Sequence, residues 1–557
     1  MLLSGADIIV RTLIEQNCQV VFGYPGGQIL DVYDSLYKYQ DEIRHILTAH
    51  EQGAAHAADG YSRATGKVGV VMATSGPGAT NLVTGIATAH LDSVPLIAIT
   101  GNVESSKIGY DSFQEIDITG ITLPITKHNY FVSSVEDLAD TIREAFRLAI
   151  SGRPGPVLID VPKDVQVAKC EYTAGEAVTP YEKNPPKDIR IKEAAACINE
   201  CKKPYIYFGG GVLASDAKEE MLALAEKIDA PLGSSMMGLS VLPTDHPRYL
   251  GMQGMHGNYA ASMAMRDADC IIALGVRFSD RVIGNRKKFA KNTKIVHIDI
   301  DGSELSKVIP STCDLRADLK LSLTALLPLV NKAEHPQWQK IVSEYQKEAE
   351  NHTDTRPGMT PQNIMALVNE FTKANTPIVT DVGQHQMWAA QFLRFRNSRR
   401  FLSSGGLGTM GFGMGAAMGA QIGTGEHTLL ITGDGSFGMS LQELATAVTQ
   451  KIPMVILMLN NGVLGMVRQW QTLFFNQHYS NTELDRKTDF VALARAFGAD
   501  GVQVRTLEEL ENALAKGFAT DGPYVIDCII DKNEYVLPML PPGGTVDDII
   551  VKVGSEE

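Results

Sequence analysis

The sequence predicts an α/β protein of three doubly wound domains with mainly parallel sheets. Apolar strand-type runs alternate with helix-type runs along the whole chain, the pattern of parallel sheets covered by helices on both faces. Glycine-rich polar clusters follow several strand-type runs directly, which is where open parallel sheets hold ligands. A length of 557 residues suits about three to four units of ~150 residues, each able to bury its own core.

In chain order, the first block is 1–169. It opens on MLLSGADIIVRTLIEQ, an amphipathic helix started near Ser4 and Gly5 rather than a secretory leader. Its last strand is PVLIDVP at 156–162. Residues 170–188 read as a linker, with Pro, Gly and charges. The second block, 189–345, carries the strands PYIYFGGG, CIIALGV and KIVHIDI, and a charged run ends it in a linker at 346–358. The third block is 359–530. The Pro- and Gly-rich tail, 531–557, is expected to act as a mobile lid. The first and third blocks share a strand–helix rhythm.

Composition narrows the function. With a net charge of -14 the chain lacks the basic excess that non-specific nucleic-acid or anionic-lipid binding requires. No apolar run reaches the ~18 residues of a membrane span, so a cytoplasmic location is expected. The seven cysteines are scattered singly and are no disulfide framework; Cys197 and Cys201 read as helix-packed thiols rather than half a zinc site.

The most informative stretch is 428–466. TLLIT is a buried strand, Gly433-Asp434-Gly435-Ser436 follows it, and Ser440 with Glu443 spells a capping box opening a helix that ends near Lys451. MVILML is the next strand and ends at Asn460-Asn461. Asp434 offers a carboxylate oxygen and Asn461 an amide oxygen, which leaves most of an octahedral Mg²⁺ shell for phosphate, a backbone carbonyl and water. The spacings Gly433-x-Gly435-x-x-Gly438 and Gly406-x-Gly408-x-x-Gly411 also match a dinucleotide fingerprint. The acid due about 20 residues further on is missing, however, and two asparagines stand there instead. The G-D-G…N-N spacing resembles that of thiamine-diphosphate enzymes.

Such a cofactor needs one carboxyl on its aminopyrimidine ring, placed outside the third block. Glu51 is the candidate. It follows the strand-like HILTA and opens EQGAAHAADGYSRATG, whose small residues predict close packing at an interior or an interface. The plain alternative is a helix N-terminal carboxylate stabilised by the dipole.

Taken in order, VFGYPGG, AHEQGAA, TSGPGATN, DSFQEID, TKHN, SGRPGPVLIDVPKD, GMHG, GVRFSDR, HIDID, DVGQHQMWAAQ, SSGGLGTMGFG and GDG…NN make the chain resemble, over nearly its whole length, the catalytic subunit of acetohydroxyacid synthase (acetolactate synthase). The resemblance implies thiamine diphosphate, Mg²⁺ and a non-redox FAD. Glu51 then pairs with the aminopyrimidine. Val382, Gly383, Gln384, His385, Gly408, Met410, Asp434, Gly435, Ser436, Asn461, Val463, Gly465 and Met466 take the rest of the thiamine cofactor, and Asp434, Asn461 and the Val463 carbonyl take the metal. Phe113, Gln114 and Lys163 line the approach from the facing subunit, and Gly26 helps orient the bound carbonyl. Arg277 anchors the second keto acid, a role suited to a guanidinium fork, and Trp470 walls its pocket. For FAD the resemblance implies Arg153, Gly209, Gly210, Gly211, Met255, His256, Gly275, Val276, Arg277, Asp280, Arg281, Asp299, Ile300 and Asp318. The chain departs from the family at Leu123, where many members carry Arg, at Gln28, at Ser279 and in the run Gly462-Val463-Leu464.

The implied reaction decarboxylates pyruvate on thiamine diphosphate and ligates the hydroxyethyl fragment to a second pyruvate or to 2-ketobutyrate. This is the first common step towards valine, leucine and isoleucine. The implied assembly is a homodimer or larger homo-oligomer with sites at the subunit interface, with a small regulatory subunit as a further partner. A pyruvate oxidase, a flavin-free acetolactate synthase and a non-catalytic paralogue are the rivals. Arg277 with Trp470, the GVRFSDR motif, and the intact Glu51, Asp434 and Asn461 speak against them in turn.

Overall fold

The computed structural model describes residues 1–183 and 185–553; Asn184 of the first linker and the last four residues of the tail lie outside the described residues. Strand β1 (Leu2–Ser4) pairs antiparallel with β8 (Lys169–Glu171), tying the start of the first block to its end. Between them, β2 (Val20–Tyr24), β3 (Arg44–Leu47), β4 (Gly69–Ala73), β5 (Leu96–Asn102), β6 (His128–Phe131) and β7 (Pro156–Pro162) form a six-stranded sheet in the order β3-β2-β4-β5-β7-β6. The middle sheet holds β9 (Pro204–Phe208), β10 (Leu232–Ser234), β11 (Tyr249–Met252), β12 (Cys270–Leu274), β13 (Lys294–Asp299) and β14 (Cys313–Arg316), ordered β11-β10-β9-β12-β13-β14. The third holds β15 (Ile378–Thr380), β16 (Phe401–Leu402), β17 (Thr428–Gly433), β18 (Met454–Asn460), β19 (Asp500–Val504) and β20 (Pro523–Ile529), ordered β16-β15-β17-β18-β20-β19.

Counted from the start of each block, the first and third sheets have one and the same strand order, whereas the middle sheet has the order of dinucleotide-binding folds. Strand pairs within these sheets are parallel. β4, β5, β7, β9, β12 and β17 are buried along their full length, as sheets covered on both faces require. Each sheet has a separate apolar core on each face: in the first, Val70, Met72, Ile97 and Ile99 point to one side and Val71, Ala73, Leu96 and Ala98 to the other.

The first and third units meet through the helices Glu51–Thr65 and Phe412–Thr424. A Cβ on Gly60 would stand 2.1 Å from the Ala416 carbonyl oxygen, and one on Gly419 would stand 1.8 Å from that of Ala57. Only glycines let the two backbones approach this closely. The helix Pro336–Glu350 runs past the 345/346 boundary, with Trp338 and Val342 buried against the middle sheet. The tail is packed down rather than projecting: Val536 and Met539 are fully buried, the Leu540 N–H donates to the Met255 carbonyl at 2.7 Å, and Met539 bridges Ile550. Among the described residues no helix is long and apolar enough to cross a membrane.

Candidate active site

In the third unit the strand order reverses between β15 and β17, which opens a crevice beyond their carboxyl ends. β15 runs out into Asp381-Val382-Gly383, and the helix Gln384–Phe392 starts there. His385 is buried, its Nε2 has no partner, and burial pushes the imidazole down to about 3, so the ring is neutral with a polar atom to spare. Cβ atoms on Gly383 and Gly433 would come within 2.9 and 3.0 Å of that ring. Ser436 donates to the Val382 carbonyl at 2.9 Å. Asp381, which the sequence reading did not single out, accepts from the Gly411 N–H at 2.8 Å and the Val382 N–H at 3.1 Å. It thereby fastens the 408–411 turn to the crevice. Within that turn Gly408 and Gly411 have φ of +70° and +89°, and the Met410 Cε lies 3.7 Å from where a Gly435 Cβ would stand.

Asp434 is buried, and burial pushes its carboxyl up to about 6. Asn461, beyond β18, donates through Nδ2 to Gln384 Oε1 at 3.2 Å and accepts through Oδ1 from the Val463 N–H at 3.2 Å. A Cβ on Gly465 would collide with the same Gln384 oxygen at 2.0 Å, and Met466 beside it packs on the core. Among the described residues no group of three or more His, Cys, Asp or Glu side chains could hold a metal. A cation here would have one carboxylate, an amide oxygen and a carbonyl, with phosphate oxygens to complete its shell. That donor set fits Mg²⁺ and not a site made of protein ligands alone.

The capping box read at Ser440 and Glu443 does not form. The helix starts at Glu443 (Glu443–Thr449), and Ser440 Oγ is buried without a partner. The Glu443 carboxylate instead crosses to the first unit, accepting from the N–H groups of Ala49 at 3.1 Å and His50 at 2.9 Å.

Glu51 opens its helix as expected, half-buried, just past the end of β3. One oxygen accepts from Asn81 Nδ2 at 2.9 Å, and the other would lie 3.3 Å from a Cβ on Gly78. At the strand-order reversal between β2 and β4, Gly26 stands against Thr74, whose Cγ2 would be 2.4 Å from a Cβ there. Lys163 pairs with Asp31 at 2.9 Å and donates to the Gly27 carbonyl at 3.3 Å. Gln114 (φ +61°) lies over Gly76, while Phe113 is 84% exposed. Asn81 and Thr74 were missed, although both sit in the TSGPGATN run that signals them.

The remaining candidates spread over the middle unit and its seams. Trp470 packs with Met255, Met539 and Leu540, and the Arg281 guanidinium lies 5.6 Å from its ring centroid. Arg281, read as a flavin contact, is thus the arginine over Trp470. Arg277 lies near Tyr207 and near His90, whose imidazole is held down by burial, then by Arg153 and Arg277. In the middle crevice, between β9 and β12, Gly209 and Gly211 stand directly against Gly275 and Val276; a Gly211 Cβ would be 2.5 Å from the Gly275 Cα. Gly210 begins the helix Gly210–Ser215 there. His256 is buried with an unpartnered Nε2. Burial pushes Asp299 up to about 6, next to the half-buried Ile300, while Asp280 is exposed. Two of the flavin candidates are occupied within the protein. Arg153 pairs with Asp301 at 3.1 Å and Glu304 at 2.9 Å. Asp318 caps the helix Leu319–Leu326 and pairs with Lys183 at 2.8 Å.

Comparison with known proteins agrees with this layout. Three thiamine pyrophosphate enzyme models match: the N-terminal TPP binding domain over 3–121, the central domain over 191–326 and the C-terminal TPP binding domain over 381–528. A probable acetolactate synthase large subunit of Methanocaldococcus jannaschii is 44% identical, with 100% of this chain and 96% of that protein covered. The acetolactate synthase large subunit of Corynebacterium glutamicum is 44% identical (99% and 91% covered). The isozyme 3 large subunit of Escherichia coli is 41% identical (98% of each). Identity at this level over whole chains, with all three domains in order, makes this chain a member of the acetolactate synthase large-subunit family of thiamine pyrophosphate enzymes.

Proposed function

We propose that the chain is an acetolactate synthase: it decarboxylates pyruvate and joins the two-carbon fragment to a second pyruvate or to 2-ketobutyrate. The observation that carries this is the pair of half-sites at the strand-order reversals of two like sheets. One presents the carboxyl of Glu51, and the other presents Asp434 and Asn461 above a glycine-lined crevice. Thiamine diphosphate, when bound, supplies a nucleophilic carbon and takes up the electrons left as CO₂ departs.

The chain's own groups do the rest. Asp434, the Asn461 amide oxygen and the Val463 carbonyl hold Mg²⁺. Backbone N–H groups around Gly383, Gln384, Gly435 and Ser436, with the spare His385 nitrogen, hold the diphosphate. Glu51 holds a proton at the aminopyrimidine, and Met410 supports the rings. Arg277 takes the carboxylate of the acceptor keto acid and Trp470 walls its side chain. The packed tail keeps water and stray protons away, which favours ligation over release of acetaldehyde. FAD belongs in the crevice between β9 and β12, where the strand order of the middle sheet reverses and Gly209 and Gly211 let the two loops at its mouth pack closely on Gly275. The 255–256 and 275–277 loops offer FAD contacts beside that crevice, and Arg153 and Asp318 would meet FAD while also holding partners within the protein. Glu51 of one chain and Asp434 of another complete each site in a homodimer or larger homo-oligomer, to which a small regulatory subunit binds. The bare aromatic surface around Phe113 supports a facing copy.

One preparation tests this reading. Bound thiamine diphosphate, flavin absorbance and acetolactate formation from pyruvate are measured together, and all three are expected. Thiamine without acetolactate, or acetolactate formation unaffected by removal of Mg²⁺, would overturn it.

A further inference from the structure

We propose that Glu443 is a positioning residue for Glu51: carried by the metal-side unit, its carboxylate holds the backbone turn that sets where the Glu51 carboxyl stands. The inference rests on reading Glu51 as the carboxyl on the aminopyrimidine.

Helix N-termini leave N–H groups without intrahelical partners. In the turn before Glu51, the N–H groups of Ala49 and His50 donate to the two different oxygens of Glu443, at 3.1 and 2.9 Å, so the turn is held at two points. Thr446 Oγ1 donates to the same carboxylate at 2.8 Å and orients it. Glu443 is fully buried, and a carboxylate so placed persists only where its oxygens are hydrogen-bonded. Burial holds this carboxyl above its ordinary range, and the nearby Glu51 charge adds to that. The helix itself makes room for the contact: a Cβ on Gly53 would lie 2.1 Å from Glu443 Oε1 and 2.4 Å from its Cδ. Gly53 therefore leaves open the space through which Glu443 reaches the turn. Glutamine cannot serve the same two donors, because its amide nitrogen would face an N–H and leave it unpaired.

The test uses the full chain with Glu443→Gln, Glu443→Asp and Gly53→Ala, beside Glu51→Gln. In cofactor-free protein, hydrogen exchange of a peptide spanning Ala49 and His50 should quicken about tenfold or more in Glu443→Gln and Gly53→Ala, because the clamp on those amides is lost. In enzyme loaded with thiamine diphosphate and Mg²⁺, exchange of the thiazolium C2 proton should slow about tenfold or more, while the KM for thiamine diphosphate stays within about threefold. Glu443→Asp should regain part of that rate. Unchanged amide exchange, or unchanged C2 exchange, overturns the proposal; so does a loss of cofactor affinity in step with C2 exchange, which marks a packing residue. If Glu443→Gln does not fold, Gly53→Ala, which keeps Glu443 but displaces it, decides by the same readouts. Normal C2 exchange in Glu51→Gln overturns the reading of Glu51 itself, and is distinguishable because only that variant alters the carboxyl.

Discussion

Glu51 and Asp434 are both carboxyls, yet their surroundings fit them for different work. Glu51 is half-buried; one oxygen accepts an amide hydrogen bond from Asn81 and the other faces Gly78. Glu51→Gln should keep the fold and lower acetolactate formation by about 10²- to 10⁴-fold, the range for a positioned acid–base group; a steady-state assay beside a melting curve checks both halves. Asp434 is buried, and burial pushes its carboxyl up to about 6. A raised carboxyl binds its proton more tightly in the folded state than in the unfolded one. Its contribution is therefore present below the unfolded value near 4 and lost as pH rises through about 6. Between those limits, cofactor-free protein should lose roughly 2 kcal/mol that Asp434→Asn does not lose. Urea titrations of both proteins across that range check this, and Mg²⁺ with thiamine diphosphate should cancel the loss. Trp470 makes the specificity prediction. Pyruvate and 2-ketobutyrate differ by one methylene, worth about 1–3 kcal/mol in a pocket. Trp470→Leu should lower the preference for 2-ketobutyrate about tenfold in a mixed-substrate competition, while pyruvate alone is still used. An unchanged product ratio would make Trp470 a packing residue of the cluster with Met255 and Met539.

At the scale of elements, the seam between the first and third units is held by reciprocal carboxylates. Glu443 of the third unit binds the N–H groups of Ala49 and His50. Asp92 of the first binds those of Gly405 and Gly406 at 3.0 and 2.7 Å, and Arg63 at 2.9 Å. Each clamp therefore holds a loop that leads to a proposed site residue, Glu51 on one side and Met410 on the other. Between them, the crossing of helices Glu51–Thr65 and Phe412–Thr424 has no room for a side chain at Gly419. Gly419→Ala should destabilise by about 1–3 kcal/mol, the range for overpacking, as read by denaturant unfolding. Local features of these elements were legible in the sequence. The strand–Gly-Asp-Gly–helix–strand–Asn-Asn run, the Ser4 cap and the helix start at Glu51 all follow from patterns within a few residues. What was not legible depends on partners far along the chain. Ser440 and Glu443 spell a local capping box, but the donors that claim Glu443 lie nearly four hundred residues away. In the same way Asp318 pairs with Lys183 and Arg281 stands over Trp470, partners more than a hundred residues away that no spacing announces.

At the scale of the whole molecule, the first and third units repeat one strand order, and each offers a polar crevice at its reversal. The shared rhythm of strands and helices hinted at that kinship; the identity of order needed the pairing of strands, which is non-local. A single chain leaves Tyr110 79% and Phe113 84% exposed in the loop that carries Gln114 over Gly76, an apolar surface suited to burial against a second copy. If each site takes Glu51 from one chain and Asp434 from another, two dead variants can rescue each other. Mixing Glu51→Gln with Asp434→Ala under subunit exchange should restore about a quarter of wild-type acetolactate formation: half of randomly paired dimers are hybrids, and each hybrid has one intact site. Sites built within one chain would restore none. The central claim is carboligation itself, and the carbon balance tests it most directly. Wild-type protein with thiamine diphosphate, Mg²⁺ and pyruvate, kept free of O₂ and of any electron acceptor, should release one CO₂ and form one acetolactate for every two pyruvates consumed. One CO₂ and one acetaldehyde per pyruvate, or turnover only once an electron acceptor is supplied, would contradict it.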